Sequence, residues 1–231
     1  MDSMTKTGPD LSLRKVNLGC GYDKRPGYLN VDLNDFHSPD WVANIADLPE
    51  FPSHHYEEIV AQDVLEHMTR DDAKKAFGEW ARILSPTGVM KVRIPSIIGL
   101  FGLMRDHPWT AEAHDHIMHL MFGTQAYNGD FHLSGYTPPI LIAMAKNAGL
   151  MITRAAMRDG WLYDLEFSKV REATDEEFLH GAFFEHLGRA VDPAGLQSWL
   201  AALAGGQVTR DGLVAALRSS EEANDKLRRL I

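Results

Sequence analysis

The sequence predicts an α/β fold: a mostly parallel sheet that ends in an antiparallel hairpin, followed by a small all-helical module. Three observations lead to this prediction. Over residues 14–150, short strand-like runs alternate with amphipathic helical stretches, a pattern typical of parallel sheets. Asp159-Gly160 then separates two further strand-like runs, which is a strong hairpin signal. After Lys169, helical patterns follow one another without an intervening strand.

Four short apolar runs are predicted to form the parallel strands. They cover residues 14–19, 28–32, 58–62 and 89–94. The last run alternates apolar and basic residues and stops at Pro95, which cannot donate to a strand ladder.

Helices are predicted over residues 71–84, 110–122 and 137–147. In the first, Ala73, Phe77, Trp80 and Leu84 recur at spacings of three and four and share one face. The third begins with Thr137 as N-cap and with Pro138 at the first helical position.

The last part of the chain reads as a separate helical module. Thr174 and Glu177 have the spacing of a capping box, and further helix starts follow at Asp192, Thr209 and Ser220. A helical piece of about 55 residues is only marginally stable alone, so we expect it to dock on its neighbour or on a partner. The predicted domains are therefore residues 1–170 and 171–231.

Composition excludes several classes of protein. Acidic residues outnumber basic ones by 32 to 23, giving a formal net charge of -9, which argues against a nonspecific nucleic-acid binder. Cys20 is the only cysteine, so the chain has no internal disulfide and fits a reducing compartment. It contains no secretory signal pattern and no run of 18 apolar residues. We expect a cytoplasmic protein without a membrane span.

Glycines and acids at predicted strand ends indicate a ligand site. Gly19-Cys20-Gly21 follows the first strand, Asp32 ends the second, Ala46-Asp47-Leu48-Pro49 comes next, and Asp63 closes the third. Open α/β sheets bind ligands at these carboxyl ends. Each feature also has a simpler explanation, because glycines can form a plain turn and the acids can cap turns or short helices.

The run VNLGCG, with GYLNVD, ADLP, QDVLEHM, ARILSPTGVMKVRIPS and NAGL, resembles class I S-adenosylmethionine-dependent methyltransferases, most closely a short bacterial branch. The resemblance covers about residues 14–156 and implies a Rossmann-like fold with S-adenosylmethionine as cofactor. By this analogy, the site residues are Gly19, Cys20 and Gly21 at the methionine part, Asp32 and Leu33 at the ribose, Asp47 and Leu48 at the adenine, and Asp63 near the sulfonium.

The sequence departs from that family at the first helix. Asp23 stands where many relatives have a third glycine, and only ten residues separate Gly21 from Asp32. This length is too short for a full helix with its connections, so we expect a single turn or a loop.

Histidines mark the predicted acceptor side. Five of the eleven lie between His107 and His132, and the resemblance places a recurrent histidine before the last helix. His132 is the first candidate for a base or acceptor-orienting group, with Asp130 to orient it. Alternatively, His132 bonds a backbone carbonyl and organises the loop. His116 and His119 are spaced to share an ion only with a third ligand from elsewhere, so we assign no metal site.

The tail signature LGR…DP.GL..W resembles a bacterial helical domain of unknown function, related in pattern to phycobilisome-linker-type domains. This resemblance implies a protein partner for the module. We expect a methyltransferase whose acceptor is a hydroxyl of a bacterial glycan or of a sugar-containing metabolite. Methylation of a non-sugar metabolite, or a non-catalytic cofactor-binding scaffold, are the alternatives.

Overall fold

The structure, a computed structural model, describes residues 8–127 and 129–229. Within these ranges, one sheet contains β1 (Lys15–Leu18), β2 (Leu29–Asp32), β3 (Trp41–Val42), β4 (Tyr56–Gln62), β5 (Leu84–Pro95), β6 (Leu150–Arg158) and β7 (Leu162–Lys169). The spatial order is β3-β2-β1-β4-β5-β7-β6. The first five strands run parallel, and β7 is antiparallel to both β5 and β6. The predicted Rossmann-like sheet with its terminal hairpin is confirmed, together with a helical C-terminal region.

The helices are α1 (Arg70–Ile83), α2 (Ile97–Asp106), α3 (Ala111–Phe122), α4 (Pro138–Asn147), α5 (Asp175–Leu187), α6 (Pro193–Ala204), α7 (Arg210–Ser219) and α8 (Glu221–Arg229). Helix α2 is not predicted from the sequence, because its mostly apolar run contains two helix-weakening glycines and shows no polar face. Its start is fixed by Ser96, whose hydroxyl accepts a hydrogen bond from the Gly99 N–H. No helix in the described ranges is long and apolar enough to cross a membrane.

One face of the sheet is apolar and covered by helices. Phe77 and Trp80 of α1 are fully buried there, and the Phe77 ring lies edge-on to Phe167 of β7 with centroids 5.3 Å apart. The Trp80 indole donates a 2.9 Å hydrogen bond to the Ile45 carbonyl, which ties α1 to the chain after β3. Helix α1 thus joins β7 to the segment that follows β3.

The opposite face is polar. Residues 19–28, which join β1 to β2, contain no helix, as expected from their length. They cross this face as a loop, in which Arg25 donates to the Gln62 side chain at 2.7 Å. Beyond the loop, ion pairs between neighbouring strands lie on this face. They are Lys91–Glu58, between β5 and β4, and Arg154–Glu166 and Arg158–Asp164, between the two strands of the hairpin.

Helix α5 contacts two separate cores. On one side, Leu179, Phe183 and Leu187 pack with residues of α7 in a small cluster of their own. On the other, Phe184 belongs to the core of the sheet, where its ring lies 5.1 Å from that of Tyr163. The helical module is thus docked on β6 and β7 through α5. The domain boundary near residue 170 stays a prediction.

Candidate active site

A cleft of about 370 Å³ opens at the carboxyl ends of β1, β2 and β4. This is the position at which open α/β sheets bind ligands. The strand ends and the loops that follow them contribute most of its lining: Gly19, Gly21, Asp32, Leu33, Asn34, His37, Asn44, Ile45, Asp63, Val64, His67, Met68, Thr69 and Asp72. Tyr127, Gly129 and Leu133 come from the segment before α4.

The turn after β1 requires glycine. Gly19 has φ +63°, and a Cβ at this position would lie 2.3 Å from a methyl carbon of Val64. Gly21 also has positive φ, at +49°, and its N–H donates to Asp32 Oδ2 at 2.8 Å. The two glycines therefore bring the backbone to the floor of the cleft, as predicted for a loop that approaches a ligand.

Cys20 lies between these glycines but faces away from the cleft. Its side chain is buried, and its thiol points to the Gly21 carbonyl at 3.4 Å. Burial raises the pKa of Cys20 to about 11, so the thiol is protonated at neutral pH. Only the backbone of Cys20 is placed to serve a ligand.

The Asp32 carboxylate is held rigidly at the end of β2. It is 6% exposed and accepts hydrogen bonds from the N–H groups of Gly21 and Asn34, both at 2.8 Å. The ring of His37 adds a third contact, at 3.0 Å from Asp32 Oδ1. Sequence reasoning missed His37, because a histidine five residues after a strand-ending acid has no distinctive pattern. Leu33 is 65% exposed beside the carboxylate and lines the same cleft.

The structure places Asp47 and Leu48 outside the lining of the cleft. Asn44 and Ile45 line it instead. After β3 the chain turns at Asn44, whose side-chain oxygen accepts from Ala46 N at 3.0 Å and whose carbonyl accepts from Asp47 N at 2.9 Å. This turn leads Asp47 outward and buries Leu48 completely in the core. The polar group next to the cleft is therefore the Asn44 amide.

Asp63 lies in the cleft with its charge compensated. Arg93 of β5 donates from Nε to both carboxylate oxygens, at 2.9 and 2.8 Å. This hydrogen bonding raises the pKa of Arg93. Asp63 itself adopts φ +52°, an unusual conformation for a residue with a side chain. The predicted acid is thus at the site, as one half of an ion pair.

The far side of the cleft joins two distant segments. The Glu66 carbonyl accepts hydrogen bonds from Leu133 N at 2.7 Å and Ser134 N at 3.1 Å. His67, which lines the cleft, places Nδ1 3.2 Å from the Phe131 carbonyl. Its ring centroid is 4.8 Å from that of His132. The structure therefore sets His132 behind His67, where it contacts the cleft through its neighbour.

Burial determines the charge of these groups. Desolvation lowers the pKa of both His67 and His132, which favours neutral imidazoles. It raises the pKa of Glu66 to about 8. Hydrogen bonds with the backbone of Met121 and Leu120 raise the pKa of His132 by a smaller amount. They agree with the alternative interpretation, in which His132 organises its loop. The sequence pointed to His132 here, but not to Glu66, and it did not indicate that His67 lies beside His132.

Asp130 stands beside the two histidines without the predicted orienting bond. Its carboxylate accepts instead from the Thr124 hydroxyl, and its N–H donates to the Tyr127 carbonyl at 3.0 Å. Its negative charge raises the pKa of His67 and His132, against the larger effect of burial. His116 and His119 lie on the exposed face of α3, and no described residue completes a metal-binding set with them.

Two parts of the chain match known protein families. Residues 14–92 match the family model of a methyltransferase domain, and residues 161–227 match that of a domain of unknown function. No curated protein is significantly similar in sequence. The phycobilisome-linker resemblance of the tail stays a prediction.

Solved structures resemble the chain at low identity. A protein from Pyrococcus horikoshii OT3 is 13% identical with a TM-score of 0.49, over 68% of this chain and 81% of that one. An S-adenosylmethionine-dependent methyltransferase from Methanosarcina mazei is 15% identical with a TM-score of 0.48, over 68% and 92%. PKMT2 from Rickettsia typhi, in complex with AdoHcy, is 13% identical with a TM-score of 0.46, over 74% and 52%.

The strand order of the chain itself, rather than these scores, identifies its fold. Five parallel strands precede a hairpin whose second strand is inserted between β5 and β6. The methyltransferase match covers β1 to β4 and most of β5, and so includes the strand ends that form the cleft. The part of the chain that matches a methyltransferase domain thus lies on a Rossmann-like sheet and contains the strand ends of the cleft, which supports a methyltransferase that uses S-adenosylmethionine as its cofactor.

Proposed function

We propose that this methyltransferase transfers its methyl group to a hydroxyl of a neutral acceptor, a sugar-containing metabolite or a bacterial glycan. The acceptor oxygen attacks the methyl carbon, and the electrons of the carbon–sulfur bond remain on sulfur. The products are the methyl ether, S-adenosylhomocysteine and one proton. The enzyme's main task in such a displacement is to align the oxygen with the methyl group and to exclude water.

The charge of the cleft lining supports the choice of a neutral acceptor. Its described lining residues include three carboxylates, Asp32, Asp63 and Asp72, and no lysine or arginine. Arg93, the cation next to the cleft, is engaged by Asp63. An acceptor with a carboxylate or phosphate would meet these carboxylates without a lysine or arginine in the described lining to bind it, whereas a neutral hydroxyl compound needs no such cation. The cationic sulfonium of the cofactor is favoured by the same charges.

The cofactor's position in this proposal follows the strand ends. Asp32 holds the ribose hydroxyls, since a fixed carboxylate can accept from two of them. Asn44 faces the edge of the adenine, the Gly19–Gly21 backbone contacts the methionine part, and Asp63 lies toward the sulfonium. This arrangement directs the methyl group at the wall formed by His67.

The acceptor in this proposal lies against that wall. A neutral imidazole at His67 can hydrogen-bond a hydroxyl, and His132 supports it from behind. Tyr127, Phe131 and Leu133, each at least 40% exposed, offer apolar surface around the opening. Ligand sites commonly combine such surface with a few convergent polar groups.

Assays with matched acceptors test this function. The full chain is supplied with S-adenosylmethionine and with pairs of sugars that differ only by a phosphate or carboxylate, and S-adenosylhomocysteine is measured. We expect turnover with the neutral member of each pair. Preference for the anionic member would overturn the proposal. Turnover restricted to non-sugar alcohols or amines would instead favour the alternative of a non-sugar metabolite.

We also propose that residues 171–231 form an interaction module for a protein partner. Its separate apolar cluster supports this division, whereas the match to a domain of unknown function covers the helices but begins at residue 161 and so includes β7. A chain that ends at Lys169 tests the boundary by thermal melting with and without cofactor. Cooperative melting with cofactor stabilisation supports two units. Failure to fold would assign α5, which contributes Phe184 to the sheet core, to the catalytic domain.

A further inference from the structure

We propose that Glu66, His67 and His132 form a binding site for one divalent transition-metal ion of the zinc class, on the acceptor side of the cleft. Each of the three residues offers one ligand atom, and these atoms all lie within 4.8 Å of one another. Two imidazole nitrogens and one carboxylate oxygen are a ligand set that zinc adopts in catalytic sites. Harder cations such as Mg²⁺ prefer oxygen ligands throughout.

Glu66 supplies the observation that points to a ligand. The residue is 2% exposed, and its Oε2 has no hydrogen-bond partner among the residues that the structure describes. A buried polar atom without a partner is costly, and most such atoms in folded proteins are satisfied. Arg93, whose charge lowers the pKa of Glu66, is engaged by Asp63. A bound cation would satisfy the carboxylate.

The two histidines are oriented as metal ligands usually are. The Phe131 carbonyl, 3.2 Å from His67 Nδ1, can only accept, so it selects the tautomer with a proton on Nδ1 and a free lone pair on Nε2. Hydrogen bonds with the backbone of Met121 and Leu120 hold the His132 ring. Such outer hydrogen bonds fix ring orientation and tautomer around protein-bound metals.

The site is assembled by contacts between the chain at 65–68 and the segment 131–136. The Glu66 carbonyl accepts two backbone hydrogen bonds, and the Ser134 hydroxyl donates to the Met68 carbonyl at 2.8 Å. The ligands are therefore brought together before any ion binds. Three protein ligands leave a coordination position open, as in catalytic zinc sites.

The open position gives the ion a role that rests on the proposed function. His67 lines the cleft, so an ion at this site would lie next to the acceptor. There it can bind and polarise an acceptor oxygen beside the methyl group. Binding of the ion itself requires neither cofactor nor acceptor, so the two proposals can fail separately.

Titration with metal alone tests the site. The full chain, stripped with a chelator, is titrated with Zn²⁺ by calorimetry, and Co²⁺ is followed by visible absorption. We expect one tight site and the intense bands of four-coordinate cobalt. His67→Ala and His132→Ala should weaken Zn²⁺ binding by roughly 10- to 100-fold or more. Glu66→Gln, which preserves volume, should do the same.

Surface histidines provide the matched control. His116→Ala and His119→Ala on the exposed face of α3 should leave the tight site unchanged. Loss of binding in these variants, or retention in the His67 and His132 variants, would overturn the assignment. Wild-type protein that shows only weak, six-coordinate cobalt would overturn it without any variant. Thermal melting confirms that each variant is folded, and S-adenosylhomocysteine binding reports separately on the cofactor site.

Discussion

The two walls of the cleft are built in different ways. The wall to which we assign the cofactor, formed by Gly19, Gly21, Asp32 and Asn44, comes from strand ends within one stretch of the chain. The acceptor wall, formed by Glu66, His67 and His132, depends on hydrogen bonds between segments 64 residues apart. The first wall is fixed by local turns and the sheet. The second depends on contacts between residues 65–68 and residues 131–136, which are distant in the chain.

Removing a histidine should affect only the acceptor wall. We expect His132→Ala to slow turnover by roughly 100-fold or more, because the acceptor loses an oriented partner. Cofactor affinity should not change, since His132 is not part of the cleft lining. Steady-state kinetics with calorimetry for S-adenosylhomocysteine checks both, and His116→Ala is the control. Near-normal turnover in the variant would return His132 to a structural role in its loop.

The opposite result is expected on the cofactor wall. Asp32→Ala should weaken cofactor binding by about 1.5–3 kcal/mol, or roughly ten- to hundredfold, through loss of charge-assisted hydrogen bonds. Calorimetry measures this change. Asp35→Ala, an exposed acid three residues later, is the matched control. Equal affinities for the Asp32 variant and the wild type would show that the carboxylate does not hold the ribose.

Two glycine variants separate backbone strain from steric contact. The Gly21→Ala substitution causes backbone strain alone, because it puts a side chain on a residue with positive φ and nothing lies within 4 Å of the new Cβ. We expect a cost of about 1–2 kcal/mol in the free energy of unfolding. Gly19→Ala adds a clash with Val64 and should lower the melting temperature further. Equal melting temperatures for the two variants would mean that the Val64 side chain yields without cost.

The smallest functional effect is expected at Cys20. Its thiol has a pKa of about 11 instead of 9.0, so its thiolate fraction at pH 8 should be about 100-fold lower than in the unfolded chain. Alkylation rates in native and urea-unfolded protein measure the difference. Between pH 9 and 11 the folded state retains a proton that the unfolded state has lost. This group therefore makes the protein less stable as the pH rises through that range. Rapid native alkylation at pH 8 would contradict the burial of the thiol.

Sequence reasoning predicted local features better than distant contacts. The strand pattern, the missing first helix and the place of Asp32 at the end of β2 follow from short-range periodicity and spacing. Asn44 was missed because the turn that excludes Asp47 depends on a side-chain hydrogen bond that spacing does not reveal. Glu66 beside His67 shows no pattern until residues 131–136 close onto it. The fold was thus predictable from the sequence, whereas only His132 of the acceptor wall was.

The two outermost strands of the sheet affect how the chain meets other copies of itself. An open sheet presents unpaired backbone groups along its outermost strands, which can recruit another chain by strand addition. Here one outermost strand, β3, is two residues long. The other, β6, lies against α5, whose His180 Nδ1 accepts a hydrogen bond from the Ala155 N–H at 3.5 Å. The short length of β3 and the cover of α5 over β6 each oppose such pairing, so neither outermost strand offers a long free edge to another chain.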